Sequence, residues 1–327
     1  MILLSGTAIA PYNEPTVNPA KQVYHLAEYC GIKNASQLST FEVVKKLKEI
    51  DAETLIQAAD YFHTNGIDPV VVFKIVLENP ESKTAFITKH PKELSKTGKY
   101  YYVPILTGIL ENDGSVRTMS MRNNDTEIKR FNTDFNDNLA VLLAVENNDD
   151  VLGKIIDYYL KGERNLNNMT FNNFEKVVSD RAFMYPFYDA VLDLLEFSDK
   201  SLILYKFDKK VSASFSKVYT SDYIDSSTSG PVHGDDLLEL FYFKTKKFNL
   251  KTNDSIDNSP FFDYIIKFIT DEPMENFDVC TQEEMISKLK QNKICSYRNF
   301  GDIVELRDSF RVEDAKFWDK LLKVREN

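Results

Sequence analysis

Apolar positions recur along this chain mainly at helical spacing. Ala20, Val23, Tyr24 and Ala27 share one face, and Gly31 follows them as a stop. Ser39 and Glu42 stand at capping-box spacing, which predicts a helix with Val43, Val44, Leu47 and Ile50 turned inward. Asp51 predicts the cap of the next helix, with Leu55, Ala58, Ala59 and Phe62 inward. Leu152, Ile155, Ile156 and Tyr159 mark another, and Val312, Ala315, Trp318, Leu321 and Leu322 a last one. Strands are predicted at residues 2–4, 103–109, 201–207 and 302–307. The first three are short apolar runs that end in polar or glycine turns, separated by long helical segments, which is the pattern of a parallel α/β sheet with crossover helices. So few strands for so many helices suggest part of a larger domain. Segments 123–138 and 163–173, polar and rich in Asn, read as surface loops or helix ends. Neither a repeat nor a linker is evident, so one domain is expected.

Composition narrows this picture. The chain has 327 residues, 43% of them hydrophobic, enough for a sizeable core. Its net charge of −10 disfavours nucleic acid or an anionic membrane as the main partner. No apolar run is long enough to span a bilayer. The first ten residues lack a basic start and are broken by Ser5-Gly6-Thr7, so they read as a short buried strand and turn rather than a leader. Of the three cysteines, Cys280 and Cys295 can pair, which leaves Cys30 odd. Asn34, Asn124, Asn168 and Asn253 each head an Asn-x-Ser/Thr sequon, which matters only in a secretory setting.

Candidate chemistry rests on two residues. His233 lies near two glycines, Gly230 and Gly234, after an irregular Ser/Thr-rich loop and before an apolar helix, a setting that can present an imidazole into a cleft. Gly234 allows close backbone approach. Asp235 and Asp236 would occupy the first helical turn, where negative charge is favoured. Asp113 ends the best strand of the chain and precedes Gly114-Ser115; this is a common turn pair, but also the strand end at which open α/β sheets place functional groups. The other histidines, His25, His63 and His90, read as structural or surface residues. Asp113 before His233 fits the acid and base of a serine hydrolase in the order Ser, acid, His. The nucleophile does not follow: among the 11 glycines only Gly230 and Gly234 are four apart, with Val232 in the serine position. No His-Gly-Gly segment is present to build an oxyanion hole.

These residues resemble the type-B carboxylesterases, the cholinesterase-like α/β-hydrolases, in their insect form. Residues 2–8 look like the strand and turn after the nucleophile helix, 86–108 like the approach to the acid turn, and 230–241 like the histidine loop. Asp180-Arg181-Ala182-Phe183 with Pro186 is similar to the helix between them, and Phe317-Trp318-Asp319 to the terminal helix. Residues 244–310 match poorly. The resemblance implies an α/β-hydrolase fold, of which residues 1–327 form the C-terminal part: an incomplete, mostly parallel sheet with many helices, lacking the nucleophile elbow, the oxyanion glycines and the early strands. It implies acyl transfer on a small-molecule carboxylic ester in a full-length parent, with no cofactor and no metal, in an extracellular glycoprotein. By position Asp113 would be the orienting acid, His233 the general base and acid, and Asp236 the acidic residue that buttresses the histidine loop, with Gly234 supporting it. Asp113 replaces the family's usual Glu. Ala10 stands where many members carry the cysteine that pairs with the one at Cys30, so Cys30 is expected to be unpaired. The alternative expectation is a non-catalytic cholinesterase-like binding or adhesion module.

Overall fold

The computed structural model describes residues 1–15, 18–62, 72–98, 103–197, 201–211, 214–219, 230–243, 259–270 and 272–323. Among these residues six strands make one sheet: β1 (Ile2–Leu4), β2 (Ile105–Leu110), β3 (Leu202–Phe207), β4 (Val279–Cys280), β5 (Tyr297–Phe300) and β6 (Val304–Arg307), in the order β1-β2-β3-β5-β6 with β4 on β3. β1, β2, β3 and β5 run parallel, with Leu4 opposite Gly108 and Gly108 opposite Tyr205. β4 and β6 are antiparallel. Every residue of β2 is buried, as expected of a parallel strand covered on both faces. β1 is half-buried and, among the described residues, pairs on one side only.

Alternation along the strands sends side chains to two cores. Ile105, Ile109 and Leu204 pack against Phe187 and Val191 of the helix Tyr185–Phe197. Leu106, Leu110, Tyr205 and Phe207 meet Phe261 and Ile265 of the helix Pro260–Ile269 on the other face. A third core is entirely helical and holds Phe131, Leu139, Ile155, Phe174 and Trp318.

The five helices predicted from spacing are present, at Pro19–Tyr29, Thr40–Leu47, Ala52–Ala58, Asp149–Leu160 and Val312–Lys323. The Ser39–Glu42 capping box is formed in both directions, and Asp51 accepts from Thr54 N–H at 2.8 Å. Val43 is buried in the small lobe around Ala27 and Ala35, but Val44, expected inward, is exposed. One strand expectation and one loop expectation were incomplete. The 302–307 segment is the exposed outer arm of a hairpin whose inner arm, β5, lacks a continuous apolar run: Tyr297, Asn299 and Phe300 are buried and Arg298 is not. Segment 123–138 is mostly helical rather than loop. Asn124 caps the helix Asp125–Thr133, and Ile128, Phe131 and Phe135 form a buried stripe at helical spacing within polar sequence. Cys280 and Cys295 form a disulfide that ties β4 to the segment entering β5, and Cys30 is a free, half-buried thiol.

Candidate active site

β2 delivers Asp113 at its C-terminal end. The Asp113 Oδ2 accepts from the Leu110 N–H at 2.8 Å and so closes the turn on itself. Gly114 cannot carry a side chain there, because a Cβ would lie 2.3 Å from the Ser179 nitrogen; instead its N–H donates to Ser179 Oγ at 3.0 Å. Asn112 forms an isolated parallel bridge with Val232, which joins the acid turn to the histidine loop. That bridge brings together residues 120 positions apart: His233 Nδ1 lies 2.7 Å from Asp113 Oδ1. An ionised carboxylate only accepts, so Nδ1 carries the hydrogen, and Nε2 is the nitrogen able to take a proton.

The histidine loop is held at several points. Gly234 has φ +85°, a left-handed conformation that suits glycine. The 3-10 helix Asp235–Glu239 begins there. Asp235 accepts from Val232 N–H at 3.0 Å, Phe215 N–H at 2.8 Å and Ser214 Oγ at 2.8 Å, so it ties the loop to residues 214–215. Tyr219 donates its hydroxyl to the His233 carbonyl at 2.9 Å. Asp236 has a different partner, the Tyr205 hydroxyl on β3, which donates to its Oδ2 at 3.2 Å. The Phe183 ring packs on the imidazole with centroids 4.9 Å apart. Phe183 lies in a single π-helical turn, Asp180–Met184, inserted between the helices Phe171–Ser179 and Tyr185–Phe197. Such turns often mark functional sites because they re-aim one side chain without ending the helix.

Burial and charge set the electrostatics. The Asp113 side chain is 1% exposed and that of His233 34%, so the acid is sealed while the imidazole reaches the surface. Burial pulls the His233 imidazole down, but its bond to Asp113 and the charges of Asp113, Asp236 and Asp235 outweigh it, and its affinity for a proton is raised. Burial, with the Asp113 charge added, pushes Asp236 up to about 7. Burial pushes Asp235 up to about 6 against its three hydrogen bonds. Tyr12, Tyr205 and Tyr219 are all pushed up, first by burial and then by the neighbouring carboxylates.

Asp113, His233, Gly234 and Asp236 thus converge, while the remaining singled-out residues lie elsewhere. His90 caps the helix Pro91–Ser95 through Nδ1 and meets Glu14 through Nε2 at 2.7 Å. His63 and Asn253 lie outside the described residues. Asn34 and Asn168 are exposed, and Asn124 is the half-buried helix cap. Val232, at the centre of the only Gly-x-x-x-Gly spacing, is fully buried. Among the described residues no group of three His, Cys, Asp or Glu side chains is placed to hold a metal, and no helix is long and apolar enough to cross a membrane. Sequence reasoning missed Tyr205, Phe183 and the loop-holding role of Asp235. Tyr205 left a usable signal: a tyrosine in a largely apolar, buried strand needs a buried acceptor for its hydroxyl.

A model of the carboxylesterase family matches residues 1–315. Juvenile hormone esterase of Tribolium castaneum is 27% identical over 214 residues, 62% of this chain and 36% of that protein. A carboxylic ester hydrolase of Bombus ignitus is 25% identical, over 72% of this chain and 41% of that protein. Esterase-5B of Drosophila miranda is 23% identical, over 93% and 57% respectively. The crystal structure of juvenile hormone esterase from Manduca sexta, with OTFP covalently attached, superposes with a TM-score of 0.73 at 16% identity, over 98% of this chain and 60% of that one. The fold is therefore that of the α/β-hydrolases, and the chain spans between 36% and 60% of the length of these relatives. A sheet with the acid at one parallel strand end, a histidine loop bonded to it, and a family match over nearly the whole sequence lead to one statement of kinship: this chain belongs to the carboxylesterase family.

Proposed function

We propose that this chain supplies the acid and histidine half of a carboxylic ester hydrolase. The observation that carries this reading is the 2.7 Å bond between buried Asp113 and one-third-exposed His233. In the proposed reaction His233 Nε2 takes the proton of a serine hydroxyl as its oxygen attacks the ester carbonyl carbon. The same imidazolium returns that proton to the departing alkoxide and leaves an acyl-enzyme, which water opens by the reverse proton relay. Asp113 holds the Nδ1–H tautomer and stabilises the imidazolium. No cofactor enters these steps.

The serine and the oxyanion donors belong, on this reading, to polypeptide outside these 327 residues, because the sequence holds no Gly-x-Ser-x-Gly. Two features support that. β1 is an apolar parallel strand paired on one side only among the described residues. An apolar cavity of about 560 Å³ adjoins it, lined by Leu3, Ile9, Phe187, Val191 and others, and neither Asp113 nor His233 borders it. Residues 1–327 are thus proposed as the C-terminal portion of a hydrolase domain. A small-molecule ester as substrate, an extracellular location and glycosylation at Asn34 and Asn168 are further parts of the proposal, drawn from the family.

The purified chain, offered a short-chain aryl ester, should show no turnover above that of its His233→Ala variant. Turnover abolished by that substitution would overturn the split-site reading. Sequencing the transcript upstream of the Met1 codon tests the same point independently, and an in-frame Gly-x-Ser-x-Gly is the expected result.

A further inference from the structure

The histidine loop carries two adjacent buried aspartates, and the structure gives them different tasks. Asp235 has its three hydrogen bonds within the loop region and accounts for the loop's shape. Asp236, 2% exposed, contributes none of these bonds, and its side chain meets the Tyr205 hydroxyl instead. A buried carboxylate outside the bonds that shape the loop is costly, which points to a role through charge.

Tyr205 reaches Asp236 because of Gly108. The two residues face each other across β2 and β3, and a Cβ on Gly108 would lie 2.5 Å from the Tyr205 ring and 2.2 Å from its carbonyl oxygen. The ring therefore lies in space that only a glycine leaves open. Around this pair stand Asp113 from the turn after β2, Asp235 and His233 from the loop, Tyr219 bonded to the His233 carbonyl, and Tyr12, whose hydroxyl feels the Asp113 charge.

We propose that Tyr205 is a positioning residue for His233: its hydroxyl holds Asp236 as a second carboxylate for the imidazole, so that His233 answers to two acids, Asp113 through a bond and Asp236 through space. The proposal rests on the reading of Asp113 and His233 as an acid–base pair. Within that reading, the imidazolium formed when His233 accepts a proton is stabilised by both carboxylates. Tyr205 favours the charged form of the second, because a hydrogen bond to a carboxylate stabilises its ionised state. Burial pushes Asp236 up to about 7, and the Tyr205 hydrogen bond pulls against that rise, toward the charged form.

The test is an NMR titration of the four histidine imidazoles in the intact chain, with His233→Asn assigning the His233 resonance. Tyr205→Phe is expected to lower the His233 midpoint by about half a pH unit, and Asp236→Asn by at least as much. The double variant should match Asp236→Asn alone, since the tyrosine acts through the aspartate. An unmoved midpoint in Tyr205→Phe, or effects of the two substitutions that add in full, overturns the proposal. If Tyr205→Phe does not fold, Asp236→Asn decides by itself: a lowered midpoint supports the second carboxylate and an unmoved one removes it. Asp113→Asn separates this idea from its premise. A fall in that variant with none in Tyr205→Phe sinks only the role of Tyr205, whereas no response to Asp113→Asn sinks the acid–base pair as well.

Discussion

Two of the buried acidic clusters among the described residues are neutralised in opposite ways. Asp180, in the π turn, meets Arg311 at 2.8 Å and Lys176 at 2.8 Å, and accepts from the Tyr159 hydroxyl at 3.0 Å, which in turn accepts from Trp318 at 2.8 Å. Burial pushes Asp180 up, and two fixed cations pull it back. Arg311 also reaches the Glu111 carbonyl at 3.4 Å, so this cluster fastens the terminal helix to the acid turn. At the Asp113–His233 site, three buried aspartates share one histidine, hydroxyls and backbone N–H groups. Lysine and arginine do not lose their charge near neutral pH, but an imidazole and a raised carboxyl do. The first arrangement suits a fastening and the second a group whose proton must come and go.

The contrast can be broken at its strong end first. Asp180→Ala takes the paired carboxylate from Arg311, while the partly exposed Lys176 keeps Asp314, and should cost about 3 kcal/mol in urea unfolding, toward the lower end for a broken buried pair. Gly108→Ala drives a methyl into the Tyr205 backbone and ring and should cost about 2–3 kcal/mol, the range of overpacked cores. A loss under about 0.5 kcal/mol would mean that Tyr205 is not confined by this contact.

Asp236→Asn should behave unlike Asp180→Ala. A carboxyl raised to about 7 binds more protons folded than unfolded from roughly pH 4 upward, so it draws stability down as pH rises toward 7. The asparagine cannot titrate, so the variant should be flatter across that window and gain on the parent by about 2–3 kcal/mol between pH 5 and pH 8. Parallel curves for parent and variant would remove Asp236 from the titrating set. His233, raised in the fold, adds stability that is complete below its ordinary pKa and is lost as pH rises through the folded value. His233→Ala should accordingly cost about 0.5 kcal/mol more at pH 5.5 than at pH 8, a small figure because the ring is one-third exposed. The smallest effect belongs to a place outside both clusters. Ser39→Ala removes an exposed helix cap and should cost about 0.5–1 kcal/mol, the same at pH 6 and pH 8.

Much of the scaffold was legible because it follows from local rules. The Ser39 capping box, the Asp51 cap and the inward faces of residues 152–159 and 312–321 are set within a turn or two of chain. β2 and β3 were legible as largely apolar runs, with only Thr107-Gly108 in the first and Lys206 in the second. β5 was not, because Arg298 and Asn299 interrupt it and its partners lie far along the chain. Asp113 and His233 were legible by residue type, turn chemistry and family likeness. Their supports were less so: Asp235 looked like a helix-end charge, and Tyr205 like one more apolar strand residue.

The sequence by itself determined five of the helices, the two central strands, the acid–histidine order and the absence of a nucleophile elbow, since each depends on near neighbours or on composition. The tertiary structure decided which carboxylate does what. Asp235 and Asp236 are adjacent and chemically identical, but one faces the backbone of its own loop and the other a tyrosine on β3. That tyrosine reaches the aspartate only because Gly108, nearly a hundred residues earlier, leaves room for its ring. Side-chain direction and long-range clearance are properties of the packed sheet, and no local pattern encodes them.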